Sequence, residues 1–169
     1  ANIDPITGYS LRRRYLQRMT AWMEECSCQG PIQVILIKLK NAERLRRQQG
    51  VDFYEGVLQS LSHQLNENFD DEGLLKGRVS HDTLMILLPR DQALHGMRWY
   101  RFVEQPWLLH LSANNRPELL IGAGTLISDS MSGAELVDVV EEELDCASEW
   151  APKEKGVQFA DLTDNLNLR

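Results

Sequence analysis

Gly77-Arg78-Val79-Ser80-His81-Asp82-Thr83-Leu84-Met85-Ile86-Leu87-Leu88-Pro89 is the stretch whose reading decides the fold. Ser80 to Thr83 form a polar break between the segment that starts at Leu74-Leu75 and the apolar run Leu84 to Leu88. Apolar runs of four to eight residues bounded by turn residues suit buried strands, so the stretch reads as a β-hairpin with a polar tip.

Working outward, Ile32 to Leu39 reads as a central strand rich in β-branched residues. Before it, Asp4-Pro5-Ile6-Thr7-Gly8 is a turn, and Leu11, Tyr15, Met19, Trp22 and Met23 recur at helical spacing, so a helix is expected from Leu11 to Glu25, ended by Gly30-Pro31. After the strand, Asn41 is expected to cap a basic helix carrying Arg44, Arg46 and Arg47, and a second helix from Val51 to Asn68 aligns Phe53, Val57, Leu58, Leu61 and Leu65. Asp70-Asp71-Glu72-Gly73 is a turn into the hairpin. Beyond the hairpin, a helix is expected from Asp91 to Val103, a strand from Trp107 to Leu111, a loop at Asn114 to Pro117 and a strand from Leu119 to Ile127. Gly122 and Gly124 within that strand read as a bulge or close packing, because no helix start follows them to make a phosphate loop. Ser132 is expected to cap a last helix to about Trp150, and Gly156 to Ala160 a closing strand. This alternation predicts one α+β domain over residues 1–169, with helices on a mainly antiparallel sheet.

Composition narrows the function. With 43% hydrophobic residues the chain is long enough for a sizeable core, and 18 Lys+Arg against 25 Asp+Glu give a net charge of −7. That balance disfavours a phosphate-backbone binder, so nucleic acid is not an expected partner. Cys26, Cys28 and Cys146 suit neither a disulfide framework nor a closed zinc site and are read as free thiols of a cytoplasmic domain. The apolar runs, Val34 to Ile37 and Leu84 to Leu88 among them, are far short of the ~20 residues that cross a bilayer. His81-Asp82 lacks ligand spacing to His63, His95 or His110 and reads as a solvated turn. Glu141-Glu142-Glu143 reads as a solvated acidic face. Arg12-Arg13-Arg14 and the Arg44, Arg46, Arg47 group are expected to lie over the fold's own acidic patches, with an acidic partner surface as the alternative.

Four segments, in order and at matching spacing, resemble the GGDEF domains of diguanylate cyclases. Asp4 to Arg13 is similar to the DxLTGLxNRR opening, with Leu11 where the family has Asn. Val34 to Leu58 matches without a gap the run through IDxDxFKxxND to GHxxGDxxL, Arg78 to Leu84 matches RYGGDEF, and Leu136 to Ala147 resembles LLRRADxALYxAK. The resemblance implies a GGDEF, nucleotidyl-cyclase-like fold: a ferredoxin-like βαββαβ core flanked by helices. It also implies a family chemistry, condensation of two GTP into cyclic di-GMP on Mg²⁺ or Mn²⁺ held by carboxylates of the first strand and the hairpin.

Residue by residue, that chemistry is depleted. Lys38 stands at the metal-binding Asp of the strand and Lys40 at the second Asp of the motif. The signature is the vestige Ser80, His81, Asp82, Thr83, Leu84, in which only Asp82 keeps an acid. Ser80 and His81 replace glycines that let backbone approach phosphate. Arg46 and Glu55 occupy the guanine-binding positions, and Ser148 replaces the closing Lys. Catalytic residues are therefore expected to be none, with no metal and no cofactor, and Lys38, Arg46, Glu55 and Asp82 are the only nucleotide-binding candidates. Lys38 is expected to form a salt bridge with Asp82 across neighbouring strands. The RxxD inhibitory site for cyclic di-GMP is expected to be absent, since Asp71 and Leu74 fill its positions. The resemblance further implies a regulatory or interaction module, or else a GTP-binding sensor, that works with an EAL phosphodiesterase domain, a sensor domain or a second copy, with an active diguanylate cyclase as the third reading. The start at Ala1 is read as the edge of a fragment, with an inner-membrane anchor possible elsewhere in the parent chain.

Overall fold

The computed structural model describes residues 2–27, 31–69, 73–89, 115–126, 131–154 and 156–167. Within them the elements run β1 (Ser10–Leu11), α1 (Arg12–Ser27), β2 (Ile32–Leu39), α2 (Ala42–Gln49), α3 (Val51–Asn68), β3 (Leu75–Ser80), β4 (Thr83–Leu88), β5 (Leu119–Leu126), α4 (Gly133–Ala147), β6 (Lys153–Glu154), β7 (Val157–Asp161) and α5 (Thr163–Asn167). The strands form one seven-stranded sheet in the order β1-β3-β4-β2-β5-β7-β6 among the described residues. Neighbours are antiparallel except the parallel pairs β1 with β3 and β5 with β7. The middle of this order, β3-β4-β2-β5, puts the first core strand between the third and fourth, which is the ferredoxin-like arrangement expected from the sequence.

Side chains alternate across a strand, so β2, apolar almost throughout, feeds two cores. Ile35, Ile37 and Leu39 face α2 and α3 and pack with Leu45, Leu58, Leu61 and Leu65. Val34 and Leu36 face α1 and α4 and pack with Tyr15, Met19, Leu136, Val140 and Leu144. Each such buried side chain contributes roughly 1.5–3 kcal/mol relative to exposure, and the sandwich fixes where the ends of β2, α3 and α4 converge on the hairpin tip.

The hairpin pairs Leu75 with Leu87 through Arg78 with Leu84, then shifts register so that Ser80 opposes Thr83. Its inward positions alternate Leu75, Gly77, Val79. Gly77 is small for a reason: a Cβ there would land in the ring of Tyr15. The Tyr15 hydroxyl donates to the carbonyls of Leu75 at 2.9 Å and Met85 at 3.3 Å, tying α1 to both arms.

Several expectations need correction. Asn41 does not cap α2; at φ −102°, ψ 28° it lacks the extended backbone of a capping residue. Its amide instead donates to the Arg116 carbonyl at 3.0 Å and accepts from the Glu118 amide at 2.9 Å, anchoring the lead into β5. The last long helix stops at Ala147, where three-residue bonds such as Glu149 N–H to the Cys146 carbonyl take over. Helix α5 was not anticipated. It closes over Gly124 of β5, where a Cβ would come within 3.0 Å of Leu166 and the Thr163 nitrogen, and a Cβ at Gly122 would come within 2.7 Å of Leu144 and Leu162, so those glycines serve close packing.

Ser132 does cap α4, accepting from the Glu135 amide at 3.2 Å. Cys146 is a free, exposed thiol. No helix among the described residues is long and apolar enough to cross a membrane. The helix expected at Asp91 to Val103, the strand expected at Trp107 to Leu111, and Asp71 lie outside the described residues.

Candidate functional site

The hairpin tip is closed by its own neighbours. The Leu39 amide at the end of β2 donates to the Asp82 carbonyl at 2.9 Å. The His81 carbonyl accepts from the Tyr54 hydroxyl of α3 and from Arg78 Nη2 at 2.6 Å. Arg78 Nη1 in turn reaches Asp4 Oδ2 at 3.1 Å in the N-terminal turn, an ion pair with side chains only 13% and 3% exposed. Asp4 also accepts from the Thr7 hydroxyl at 2.7 Å and from the amides of Ile6 and Thr7 at 3.2 Å. Burial opposes ionisation of Asp4, but the Thr7 hydroxyl, the Ile6 amide and Arg78 together outweigh it and hold the carboxyl below its ordinary value.

Asp82, the acid of the tip, is spoken for. Its Oδ1 accepts from the Ser80 hydroxyl at 2.8 Å and the Thr83 hydroxyl at 2.9 Å, and His81 Nε2 lies 3.8 Å from Oδ2. Lys38 sits in register with Thr83 but does not bond Asp82 as expected. Its Nζ lies 2.9 Å from Asp145 Oδ1, because α4 brings that carboxylate over the end of β2 while the tip hydroxyls occupy Asp82. Burial disfavours the Lys38 charge, yet its hydrogen bond to Asp145 and the charges of Asp145, Asp82 and Glu141 prevail, so its pKa lies above the ordinary lysine value. Lys40 turns elsewhere, donating to Gln158 Oε1 at 2.7 Å.

A second cation reinforces α4. Arg12 donates to the Val79 carbonyl at 2.9 Å, Glu141 at 2.8 Å and Asp138 at 3.2 Å. The glutamate run is therefore not simply a solvated face: Glu141 holds Arg12, and Glu143 accepts from Asn165 at 2.8 Å. Arg12 and Arg44, the latter 3.5 Å from Glu118, do lie over the fold's own acids as expected.

The four nucleotide-binding candidates are not assembled alike. Lys38 at the end of β2 and Asp82 at the hairpin tip are neighbours that do not bond each other, whereas Arg46 is exposed on α2, Glu55 is half-buried on α3, and neither makes an ion pair among the described residues. Leu74 lines a shallow cleft of about 440 Å³ with Thr7, Arg18, Asn66 and Lys76. The cations there are engaged, Arg18 with the Ser10 hydroxyl at 3.0 Å and Lys76 with Asn66 at 3.0 Å. Among the described residues no group of three or more His, Cys, Asp or Glu is arranged to hold a metal.

Tyr54 and Asp145 escaped the sequence reading, although signals existed. Tyr54 stands at the second glycine of the GHxxGDxxL run, a bulky residue where the motif leaves room. Asp138, Glu141 and Asp145 recur at helical spacing, one stripe of α4. Burial raises the pKa of Tyr54, which keeps its phenol a donor to the hairpin. Tyr54→Phe should cost about 1 kcal/mol, read as a Tm lowered by roughly 2–4 °C; an unchanged melt would remove the phenol from this account of the tip.

In comparisons with known proteins, the family described as "Diguanylate cyclase, GGDEF domain" matches residues 1–149. No curated protein matches the chain. Among solved structures it is similar to the GGDEF domain of DgcB from Caulobacter crescentus in complex with cyclic di-GMP, at 12% identity and TM-score 0.72, covering 94% of this chain and 95% of that one. It is similar to the FimX GGDEF domain from Pseudomonas aeruginosa at 18% identity and TM-score 0.70, covering 95% and 99%. It also resembles Vibrio cholerae LapD, S helix-GGDEF-EAL bound to cyclic di-GMP, at 17% identity and TM-score 0.68, covering 95% of this chain but 37% of that one.

Proposed function

This chain belongs to the GGDEF family of diguanylate cyclase domains, and from that premise we propose that it is a catalytically silent member, a regulatory or interaction domain in bacterial cyclic di-GMP signalling. The observation that carries the proposal is the Lys38 ammonium seated on Asp145 at 2.9 Å, at the strand position where the family holds a metal.

The family's Mg²⁺ or Mn²⁺ does not fit these residues. Divalent hard cations need oxygen ligands, and a pair of ions needs carboxylates on both strand and hairpin. The strand offers an ammonium, and Asp82 Oδ1 is already shared by two hydroxyls. A unit charge beside an incoming dication at ~4 Å is repelled by several kcal/mol at an effective dielectric of about 20. The substrate side is equally depleted, with Arg46 at a guanine position, Ser148 at the closing lysine and Tyr54 bonded across to the tip.

As a silent domain it acts through contacts with an attached EAL or sensor domain, a separate signalling protein or a second copy, as part of a larger cytoplasmic or membrane-anchored protein. LapD, which joins GGDEF and EAL, supports that architecture by analogy of fold. Incubation with GTP and Mg²⁺ or Mn²⁺ tests the reading. No cyclic di-GMP is expected, and none from Lys38→Asp either, because Thr83, Ser148 and Arg46 still lack the family's groups. Product from either protein refutes silence. Calorimetric heat from GTP without product instead favours the nucleotide-sensor reading.

A further inference from the structure

We propose that the end of the sheet around the hairpin tip docks a second copy of this chain: Glu149 and Trp150, just past α4 of one copy, seat on Arg46, Arg47 and Val51 at the α2–α3 corner of the other, and reciprocally. This rests on the silent-domain reading and names the second copy as the partner that such a domain engages.

Three surfaces converge at the end of β2. Tyr54 bonds the His81 carbonyl at the tip, so the corner one turn earlier on α3 stands beside the hairpin. The side-chain amide of buried Gln158 donates to the carbonyls of Ser148 at 3.0 Å and Ala151 at 3.1 Å and accepts from Lys40, the residue after β2, at 2.7 Å. That clasp brings the turn after α4, and Trp150 with it, to the same end of the sheet. Helix α4 packs on one face of the sheet and α2 and α3 on the other, so the tip lies between the two flanks.

What those flanks expose is complementary. Of the four exposed large apolar side chains among the described residues two are here, Trp150 at 54% and Val51 at 51%. Arg46 and Arg47 are exposed and, unlike Arg44, make no ion pair among the described residues, and neither does Glu149. Helix α4 carries six acids and no lysine or arginine, whereas α2 carries three arginines against one glutamate. Tryptophan and arginine are the side chains that dominate protein interfaces. A surface with an acidic flank and a basic flank about its middle is its own complement under a two-fold rotation, which lays acid on base at two places and tip against tip. The net charge of −7 on each copy opposes this only at long range, and salt at ~0.15 M screens it beyond about 8 Å.

Sedimentation velocity over a micromolar concentration series tests the surface. The wild type is expected to sediment as a monomer–dimer equilibrium. Trp150→Ala is expected to weaken dimerisation about 30-fold, the loss of a central interface anchor, with the Tm of the monomer unchanged because the ring already stands half in solvent. Arg46→Glu/Arg47→Glu and Glu149→Arg are each expected to stay monomeric alone, since either reversal spoils both contacts of a two-fold pair. Mixed in equal amounts, these two proteins are expected to form a heterodimer: the reversed corner meets the reversed acid at one contact, and the native groups meet at the other. A folding defect in either variant cannot produce that rescue. A wild type that is monomeric at every concentration, a dimer indifferent to Trp150→Ala, or a mixture that fails to pair overturns the inference and leaves the silent-domain reading standing. Cyclic di-GMP made by the wild type sinks the silent-domain reading beneath it.

Discussion

Gly77→Ala is expected to cost about 3 kcal/mol, the upper end for forced overpacking, and to lower the Tm by roughly 6–12 °C in a domain of this size. The added methyl meets the Tyr15 ring. That ring cannot yield cheaply, because Tyr15 is fully buried and its hydroxyl is bonded to Leu75 and Met85 on the two arms of the hairpin. Relief therefore requires moving α1 off β3 or breaking both bonds. Gly56→Ala is the internal control: Gly56 lies within α3, and a Cβ there meets nothing within 4 Å. That substitution should stabilise by about 0.5–1 kcal/mol through helix propensity. Thermal melts followed by circular dichroism should thus move in opposite directions for the two alanines. Equal shifts of one sign would show that the Tyr15 contact does not govern the site.

Asp4→Ala is expected to cost about 3–5 kcal/mol, the range for removing one partner of a buried ion pair. The loss has two parts: Arg78 keeps its charge with no carboxylate, and the N-terminal turn loses the acceptor for Thr7 and Ile6. Asp4→Asn keeps acceptor geometry while removing charge, so it should cost less. Because the folded pKa of Asp4 lies below 3.8, its contribution is complete above the unfolded value and is lost as pH falls through the lower, folded one. Urea titrations at pH 6 and pH 3 should therefore show a smaller Asp4→Ala penalty in acid. In a double-mutant cycle with Arg78→Ala the penalties should be strongly non-additive. Additive penalties would mean that the pair contributes nothing beyond the turn itself.

Much of the architecture could be read from local patterns because the deciding signals are local. The hairpin around Ser80 to Thr83, the strand Ile32–Leu39 and the helix Val51–Asn68 each announce themselves by period and by their bounding turn residues. What escaped was long-range or compensated. Asn41 has the residue type of a cap, but its side chain spends its donors and acceptors on residues about 75 positions away. Lys38 finds Asp145 across 107 positions instead of Asp82 across the strand. Residues Thr163–Asn167 are too few for a periodic signal and are helical because Leu162 and Leu166 drop onto the glycine face of β5. The sequence singled out Lys38 and Asp82 as positions to watch. It did not reveal that Lys38 pairs with Asp145 or that Asp82 accepts from the Ser80 and Thr83 hydroxyls.

Those bonds make the central claim testable in a single assay: incubate the purified domain with GTP and either Mn²⁺ or Mg²⁺ and quantify cyclic di-GMP by chromatography. The Lys38–Asp145 pair, the occupied Asp82 and the Tyr54 bond to the tip predict that no cyclic di-GMP forms above the protein-free control. Time-dependent product that scales with protein concentration would contradict the account.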